Sequence, residues 1–294
     1  MATDLNEANG WIPEPKSSEV LTKVYAQSAV ESVARRITMT APTVSVPRFE
    51  SDGVDIVAEH ATIPVQDATL DEVTLRAVKF ANRFAISIED QRDALVDVLQ
   101  AKKLAWANSY ARKLDNAALG VTTEQGDLAT APFQSVYHAA TEAGNVTATA
   151  GALNYEMLND LFTDLESGDY NGNLVVIAHP AFAGALRNLK DAAGDRVVGD
   201  VLGAGVPTIF GNELRFSTGA RTSAAATDKP TGNPLLIVGN REHMILGVLD
   251  GPESQVSDQP RWENDEVELK MRARRAFAPA TGEAFYVVEQ TEGA

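Results

Sequence analysis

The charged residues near the C-terminus are the strongest candidates for a functional role. Charged and apolar residues alternate strictly from Glu266 to Arg274, which is the two-residue period of a half-buried β-strand. The apolar positions are Val267, Leu269, Met271 and Ala273, and the charged positions are Glu266, Glu268, Lys270, Arg272 and Arg274. The charged face changes from acidic to basic along the strand. The chemistry such a face offers is ion pairing, which can bind a surface of complementary charge in a fixed direction.

The segments that come nearest to a catalytic or cofactor-binding motif lack the residues or the spacing that the motif requires. Residues 199–205 are glycine-rich but lack the lysine and hydroxyl of a nucleotide loop and the spacing of a dinucleotide fingerprint. Residues 169–173 begin like a calcium loop, yet Leu174 replaces the turn glycine and Pro180 the bidentate glutamate. The chain has no cysteine, and no two of its four histidines lie three or four residues apart. We predict no catalytic, cofactor-binding or metal site, with an enzyme of unknown reaction as a remote alternative.

Composition narrows the class of protein. The chain has 294 residues, of which 44% are hydrophobic and 22% charged, as expected for a globular fold with a real core. Its formal net charge of -16 repels phosphate, so we do not expect a general nucleic-acid-binding protein. The cluster of Arg272, Arg274 and Arg275 is therefore interpreted as ion-pair partners at a protein interface. No apolar run is long enough to span a membrane, and the first twenty residues lack a signal-peptide pattern.

The residue pattern in the first half of the chain predicts an arm, a hairpin and a long helix. Residues 1–20 should be extended, residues 20–36 a short helix, and Thr43–Pro47 the start of a strand. Residues 48–78 are interpreted as a long two-stranded excursion, with strands at Val54–Val57 and Val73–Val78. A hairpin of this length is marginally stable alone, so it packs either on its own domain or on another subunit.

The long helix is predicted to follow a strand-like run at Phe80–Ile88. Ser87 and Asp90 resemble a capping box, and Gly120 would end the helix. About 30 residues at 1.5 Å each would make a rod of about 45 Å. We expect this helix to serve as a structural spine.

The second half predicts a lobe of mixed helices and strands. Asn154 should cap a helix that ends at Gly168, and the apolar run Leu174–Ala178 predicts a buried strand. His179 should cap a helix that begins with Pro180. Further short strands are predicted at 208–210, 214–216, 235–238 and 244–249. The charged strand and a last strand at 284–289 should join a sheet beside the long helix.

Three segments and their order carry a family resemblance. They are Val73–Asp90, Leu174–Asp191 and Trp262–Phe277. Together with the order of arm, hairpin, long helix, lobe and charged strand, they resemble the major capsid protein of tailed bacteriophages. That family has the Hong Kong 97 type of shell fold, which encapsulin nanocompartments share. The resemblance covers nearly the whole chain.

The resemblance implies an α+β fold with named parts. They are an N-terminal arm (1–47), an extended β-hairpin loop (48–79), a peripheral domain with the spine helix (80–125 and 255–294) and an axial α/β domain (126–254). It implies a structural protein that self-assembles as hexamers and pentamers into an icosahedral shell around packaged double-stranded DNA. An encapsulin-like nanocompartment shell is the alternative.

The resemblance also implies partners and contacts. We expect the chain to bind copies of itself, a portal, a decoration protein where one is present, and DNA without sequence specificity, with no membrane contact. It would occupy the virion, and the host cytoplasm during assembly. Predicted inter-subunit contacts are Trp11, Arg48, Arg76, Lys270, Arg272, Arg274 and Arg275.

Two departures from the family pattern give further expectations. Some members cross-link through a lysine in the extended loop, but no lysine lies between Lys23 and Lys79, so we expect a non-covalent shell. Other members begin with a long helical scaffolding segment that is cleaved. This chain begins at the arm, so we expect a separate scaffolding protein or none, and retention of Met1 or Ala2.

Overall fold

The fold consists of two main sheets, a two-stranded hairpin and six α-helices in the part of the chain that is described. The computed structural model describes residues 28–49, 54, 56–60, 62–63, 70–93, 97–150, 153–170, 172–190, 207–257, 259 and 262–291. The elements are α1 (Ala29–Val33), β1 (Arg35–Thr38), β2 (Thr43–Phe49), β3 (Leu70–Arg76), β4 (Val78–Ser87), α2 (Ile88–Asp93), α3 (Val98–Leu119), α4 (Val136–Glu142), β5 (Val146–Thr149), α5 (Tyr155–Ser167), β6 (Leu174–Ala178), α6 (Ala183–Asn188), β7 (Thr208–Ile209), β8 (Asn212–Phe216), β9 (Leu235–Asn240), β10 (Met244–Ser257), β11 (Glu266–Pro279) and β12 (Phe285–Gln290).

The charged strand is central in the first sheet. This sheet has the order β1-β10-β11-β4, in which β11 is antiparallel to both of its neighbours. Ala273 and Phe277 of β11 share one hydrophobic core with Leu114 of α3. The C-terminal half of α3 is therefore buried against one face of the sheet. Its N-terminal half, from Val98 to Ser109, contains no buried residue.

The second sheet has six strands in the order β5-β12-β9-β6-β8-β7. Strand β6 is buried throughout, as its unbroken apolar run predicted. The last strand, β12, pairs with β9 in this sheet. The expectation that it lies with the charged strand is wrong, because both faces of β12 are apolar, with Phe285, Val287 and Val288 buried. An interior position in the larger sheet covers both faces.

The predicted 30-residue helix is two helices. Helix α2 ends at Asp93, and α3 begins after Asp97, whose Oδ1 accepts a hydrogen bond from the Gln100 amide at 3.1 Å. The spine is therefore the 22 residues of α3, about 33 Å long, and it ends before Gly120 as predicted. The signal at Ser87 marked the start of the shorter helix, and the cap at Asp97 starts the longer one.

The short helix near the N-terminus also ends earlier than predicted. Helix α1 stops at Val33, and Arg35–Thr38 become strand β1, which pairs in parallel with β10. Pairing with a distant strand overrides the helical pattern that continued to Arg36.

The first strand of the extended hairpin is β2, and not the predicted strand at Val54–Val57. Strand β2 pairs with β3 from Thr43 opposite Arg76 to Phe49 opposite Leu70. The prediction of a strand at Val54–Val57 is wrong for the single chain, because the described residues of that segment lie outside any strand. The base of the hairpin packs through Leu75, which is fully buried on the first sheet.

Two caps in the lobe confirm the sequence predictions. Asn154 Oδ1 accepts a hydrogen bond from the Met157 amide at 2.9 Å at the start of α5. His179 Nδ1 accepts one from the Ala181 amide at 3.1 Å in the turn that precedes α6. These local signals hold because each acts within three residues of itself.

A buried carboxylate joins three separate parts of the fold. Asp115, on α3, is fully buried and accepts hydrogen bonds from the Ala29 amide at 3.0 Å and the Val30 amide at 3.2 Å. It also accepts from the hydroxyls of Ser28 and Ser217. Burial raises the pKa of Asp115, and the two serine hydroxyls oppose that rise. The carboxylate therefore fixes α1 and the loop after β8 to the spine helix.

Replacing this carboxylate should destabilise the subunit. Asp115→Ala leaves buried donors on α1 and Ser217 without an acceptor, and we expect it to lower the free energy of unfolding by roughly 2 to 4 kcal/mol. Urea unfolding followed by circular dichroism measures the change. The matched control is Asp160→Ala on the exposed face of α5, which should change stability by no more than about 0.5 kcal/mol. Equal effects of the two changes would contradict the role of Asp115.

Candidate assembly interface

One face of the first sheet carries a row of basic side chains. The register places Lys270 opposite Arg83 and Arg274 opposite Lys79. Residues directly opposite each other in antiparallel strands share a face, and so do alternate residues of one strand. The basic row is defined as Lys79, Arg83, Lys270, Arg272 and Arg274.

The described residues neutralise only part of the basic row. Arg272 pairs with Glu253, Arg274 with Asp250 at 3.7 Å, and Arg83 with Glu268 at 3.4 Å. Within the described residues, the five basic residues of the row minus these three acidic partners leave two positive charges, on a chain whose net charge is -16, and Glu266 lies at the acidic start of the same face. Lys79 and Lys270 are both exposed. The sheet thus presents a locally basic surface on an acidic protein.

The apolar face of β11 is buried as the alternation predicted. Leu269, Met271 and Ala273 are buried and Val267 is half-buried, as the two-residue period predicts for the apolar face, whereas Glu268 on the charged face is buried as well. The side chains of the basic row lie on the other face. The alternation therefore gave the direction of the charged side chains correctly.

Arg275 departs from the alternating pattern and is buried. Its Nε donates to Glu31 Oε1 at 2.9 Å, and its Nη1 donates to the Asp250 carbonyl at 2.6 Å, where the register of β10 shifts. The Tyr110 hydroxyl donates to the same Glu31 oxygen at 3.0 Å. Burial, followed by the Glu31 charge, raises the pKa of Tyr110. Arg275 thus has a role inside the subunit, and a contact with a neighbour stays a prediction.

The two predicted contact residues of the hairpin lie toward opposite ends of the β2–β3 ladder. Arg48 pairs with Asp71 across the two strands and donates to the carbonyl of Ala280. Arg76 is exposed at the end of β3. Trp11 lies outside the described residues. Contacts of these side chains with a neighbouring subunit stay predictions.

The segment between Arg48 and Arg76 is acidic, and Val54 and Ile56, predicted to lie in a strand at Val54–Val57, are exposed instead. It contains no lysine or arginine, and its acidic residues are Glu50, Asp52, Asp55, Glu59, Asp67, Asp71 and Glu72. The exposed fractions of Val54 and Ile56 are 95% and 103%, and that of Ile63 is 75%. Large apolar side chains in this state indicate an interaction surface. The sequence signal for this surface was the β-branched residues Val54, Ile56 and Val57, which have no obvious strand to pair with nearby in the sequence.

The described residues show neither a metal cluster nor a membrane-spanning helix. They contain no group of three or more histidine, cysteine, aspartate or glutamate side chains that could hold a metal ion. None of the helices within the described ranges is both long and apolar enough to cross a bilayer.

Solved structures share this fold. A chain from Mycobacterium phage Bobi matches with a TM-score of 0.76 at 20% identity, covering 99% of each chain. A chain from Mycobacterium phage Ogopogo matches with a TM-score of 0.76 at 16% identity, covering 98% of this chain and 100% of that one. A structure described as "Capsid of native GTA particle computed with C5 symmetry" matches with a TM-score of 0.69 at 17% identity, covering 99% of each chain. The α+β shell fold predicted from the sequence is confirmed.

Sequence comparison identifies the family. No curated protein sequence matches the chain. The model of the phage capsid family matches residues 9–289, which is nearly the whole chain. This chain therefore belongs to the phage capsid family, and it is a structural protein of a phage shell.

Proposed function

We propose that this chain is the major capsid protein of a tailed bacteriophage and that it assembles as hexamers and pentamers into an icosahedral shell. The shell would enclose the packaged double-stranded DNA genome. Family membership over residues 9–289 is the observation that carries this proposal. It is supported by two surfaces of opposite charge on one chain, the acidic hairpin and the basic row.

These two surfaces suit a contact between copies. The basic row and the exposed apolar residues Val54 and Ile56 are different patches, so a contact between them joins one copy head-to-tail to the next. Contacts of this kind close into rings when the rotation between copies divides a full turn. Rings of five and six copies are the units of an icosahedral shell.

The parts of the chain take the roles that the family resemblance implied. Residues 1–47 are the arm, 48–79 the extended loop, 80–125 with 255–294 the peripheral domain, and 126–254 the axial domain around capsomer axes. The net charge of -16 limits adhesion of the shell to DNA, so the genome is held without sequence-specific binding. The remaining partners are a portal, a decoration protein, and a separate scaffolding protein where one is used. Assembly takes place in the host cytoplasm, and the product is the virion.

Electron microscopy of the purified protein tests this function. We expect closed shells or rings of five and six copies, because hairpin and sheet surfaces of opposite charge attract. A compact monomer that persists at high concentration would contradict the proposal. Shells that contain an enzyme cargo and accompany no tailed virion would favour an encapsulin-like compartment instead.

Reversing charge in the basic row should block assembly without unfolding the subunit. The double change Arg272→Glu and Arg274→Glu removes two partly exposed ion pairs, each worth about 0 to 1 kcal/mol, and makes the surface repel the acidic hairpin. We expect circular dichroism to be unchanged and the yield of shells in sedimentation to fall at least fivefold. The control is Arg187→Glu on the exposed part of α6. Shell yields equal to those of the unmodified protein would exclude these arginines from the interface.

The shell should be held together without covalent links. The hairpin contains no lysine from residue 49 to residue 75, so it has no amine for an amide bond to a neighbouring chain. Denaturing gel electrophoresis of purified particles should show one band near 31.4 kDa. A ladder of multiples of this mass would refute the prediction.

A further inference from the structure

A long loop attaches the second sheet to α3. The 217–234 loop connects β8 to β9 and contains no helix or strand of its own. Its two ends lie side by side, because the Leu235 amide donates to the Ala220 carbonyl at 3.0 Å. Its middle part reaches the end of α3, where the Ser223 amide donates to the Gly120 carbonyl at 2.9 Å. A loop of this length that is closed at its ends and held by specific contacts is usually functional.

Asn116 of α3 holds this loop through both polar atoms of its side chain. The residue is fully buried, and its Nδ2 donates to the Gly219 carbonyl at 3.1 Å and to the Arg221 carbonyl at 2.9 Å. Its Oδ1 accepts from the Ser223 hydroxyl at 2.8 Å and from the Thr227 amide at 3.1 Å. An amide side chain has no acid form in the physiological range, so these contacts do not depend directly on pH.

Arg221 crosses the neck of the loop and meets a histidine of the second sheet. Its Nη1 donates to the Gly232 carbonyl at 3.2 Å, on the returning side of the loop. Its Nε lies 3.1 Å from Nε2 of His179, the residue that follows β6. The guanidinium therefore ties the two sides of the loop to each other and to the end of β6.

The imidazole of His179 lies between two N–H donors. Its Nδ1 is 3.1 Å from the Ala181 amide nitrogen, and its Nε2 faces Arg221. Each neutral tautomer of imidazole has one nitrogen free to accept a hydrogen bond, whereas the imidazolium carries a proton on both nitrogens and accepts none. A proton on His179 would therefore remove the acceptor and place two positive charges side by side.

Within the described residues, no carboxylate pairs with His179 to stabilise its charged form. Burial, followed by the Arg221 charge, lowers the pKa of His179 from 6.5 to about 4. Strand β9, whose Leu235 carbonyl accepts from the His179 amide at 2.9 Å, contains no titratable side chain. The other charged residues on the elements around His179 form no ion pair with it, and they are Glu213 and Arg215 of β8, Arg187 of α6, and Asp228 and Lys229 of the loop.

We propose that His179 and Arg221 form an acid-sensitive latch, in which protonation of the imidazole releases Arg221 and loosens the 217–234 loop on α3. The released guanidinium turns to water and gives up the Gly232 carbonyl, so the two sides of the neck separate. Because the latched chain binds this proton less readily than the released one, the latch weakens as the pH falls from 6.5 to about 4. The inference concerns a contact inside one chain and does not depend on the proposed function.

Hydrogen exchange of the loop at two pH values tests the latch. Mass spectrometry compares the exchange of peptides that cover residues 217–235 at about pH 7.5 and about pH 5, after correction for the intrinsic effect of pH. In the unmodified protein we expect the opening constant of the loop to rise at least about fivefold at the lower pH, while α3 and β11 stay protected.

Two substitutions at His179 separate its two contacts. His179→Gln places an oxygen near the position of Nε2, so it keeps an acceptor for Arg221 without titrating, and the loop should exchange equally at both pH values. His179→Asn keeps an acceptor for the Ala181 amide but is too short to reach Arg221, so at about pH 7.5 its loop should already exchange as fast as the unmodified loop does at about pH 5. The control is His60→Gln at an exposed position, which should leave the pH response unchanged.

Three outcomes would overturn the latch. The first is the same rise in loop exchange at low pH in His179→Gln as in the unmodified protein. The second is slow loop exchange in His179→Asn at about pH 7.5, since the Arg221 contact would then hold nothing. The third is a rise that extends equally to α3 and β11, which would mean acid unfolding of the whole chain.

Discussion

Strand β11 is the element on which the rest of the structure depends, because its two faces have to satisfy different surroundings. One face buries Ala273 and Phe277 in the core with α3. The other carries the basic row and, toward its end, the alanines on which the hairpin base packs. Since side chains of a strand alternate, a single slip in register would place charge in the core and apolar groups in solvent. The position of the hairpin and of the charged surface is fixed by this one alternation.

Charge is distributed so that the subunit is incomplete by itself. Among the described residues, the ion pairs of the basic row leave two of its positive charges unmatched, and the side chains of Val54 and Ile56 are exposed. Contact between surfaces of opposite charge on two copies lowers the free energy. The net charge of -16 on each chain opposes association in other registers. Inside the subunit, the buried contacts of Asp115 and Arg275 hold α1, the spine helix and the sheet together. The proposed assembly surfaces are thus attached to a frame held by buried contacts.

Several local signals were predicted correctly, whereas the pairing of distant strands was not. The caps at Asn154 and His179 and the buried strand β6 were predicted, because each depends on residues next to it in sequence. The break in the long helix at Asp97 was missed because two capping signals compete within ten residues. The basic row was half predicted: the alternation gave the facing of Lys270, Arg272 and Arg274, but not the contribution of Lys79 and Arg83 from β4.

The sequence by itself determined the fold class, the family resemblance, the alternation of β11 and the acidic character of the hairpin, since these are properties of residue type and spacing. Only the tertiary structure decided which strands are neighbours, and with that the ion pairs of Arg272 and Arg274, the burial of Arg275 and the open edge of β4. The physical reason is that β-strands pair through backbone groups common to all residues. Partner choice is therefore settled by the packing of distant side chains, which no local pattern encodes.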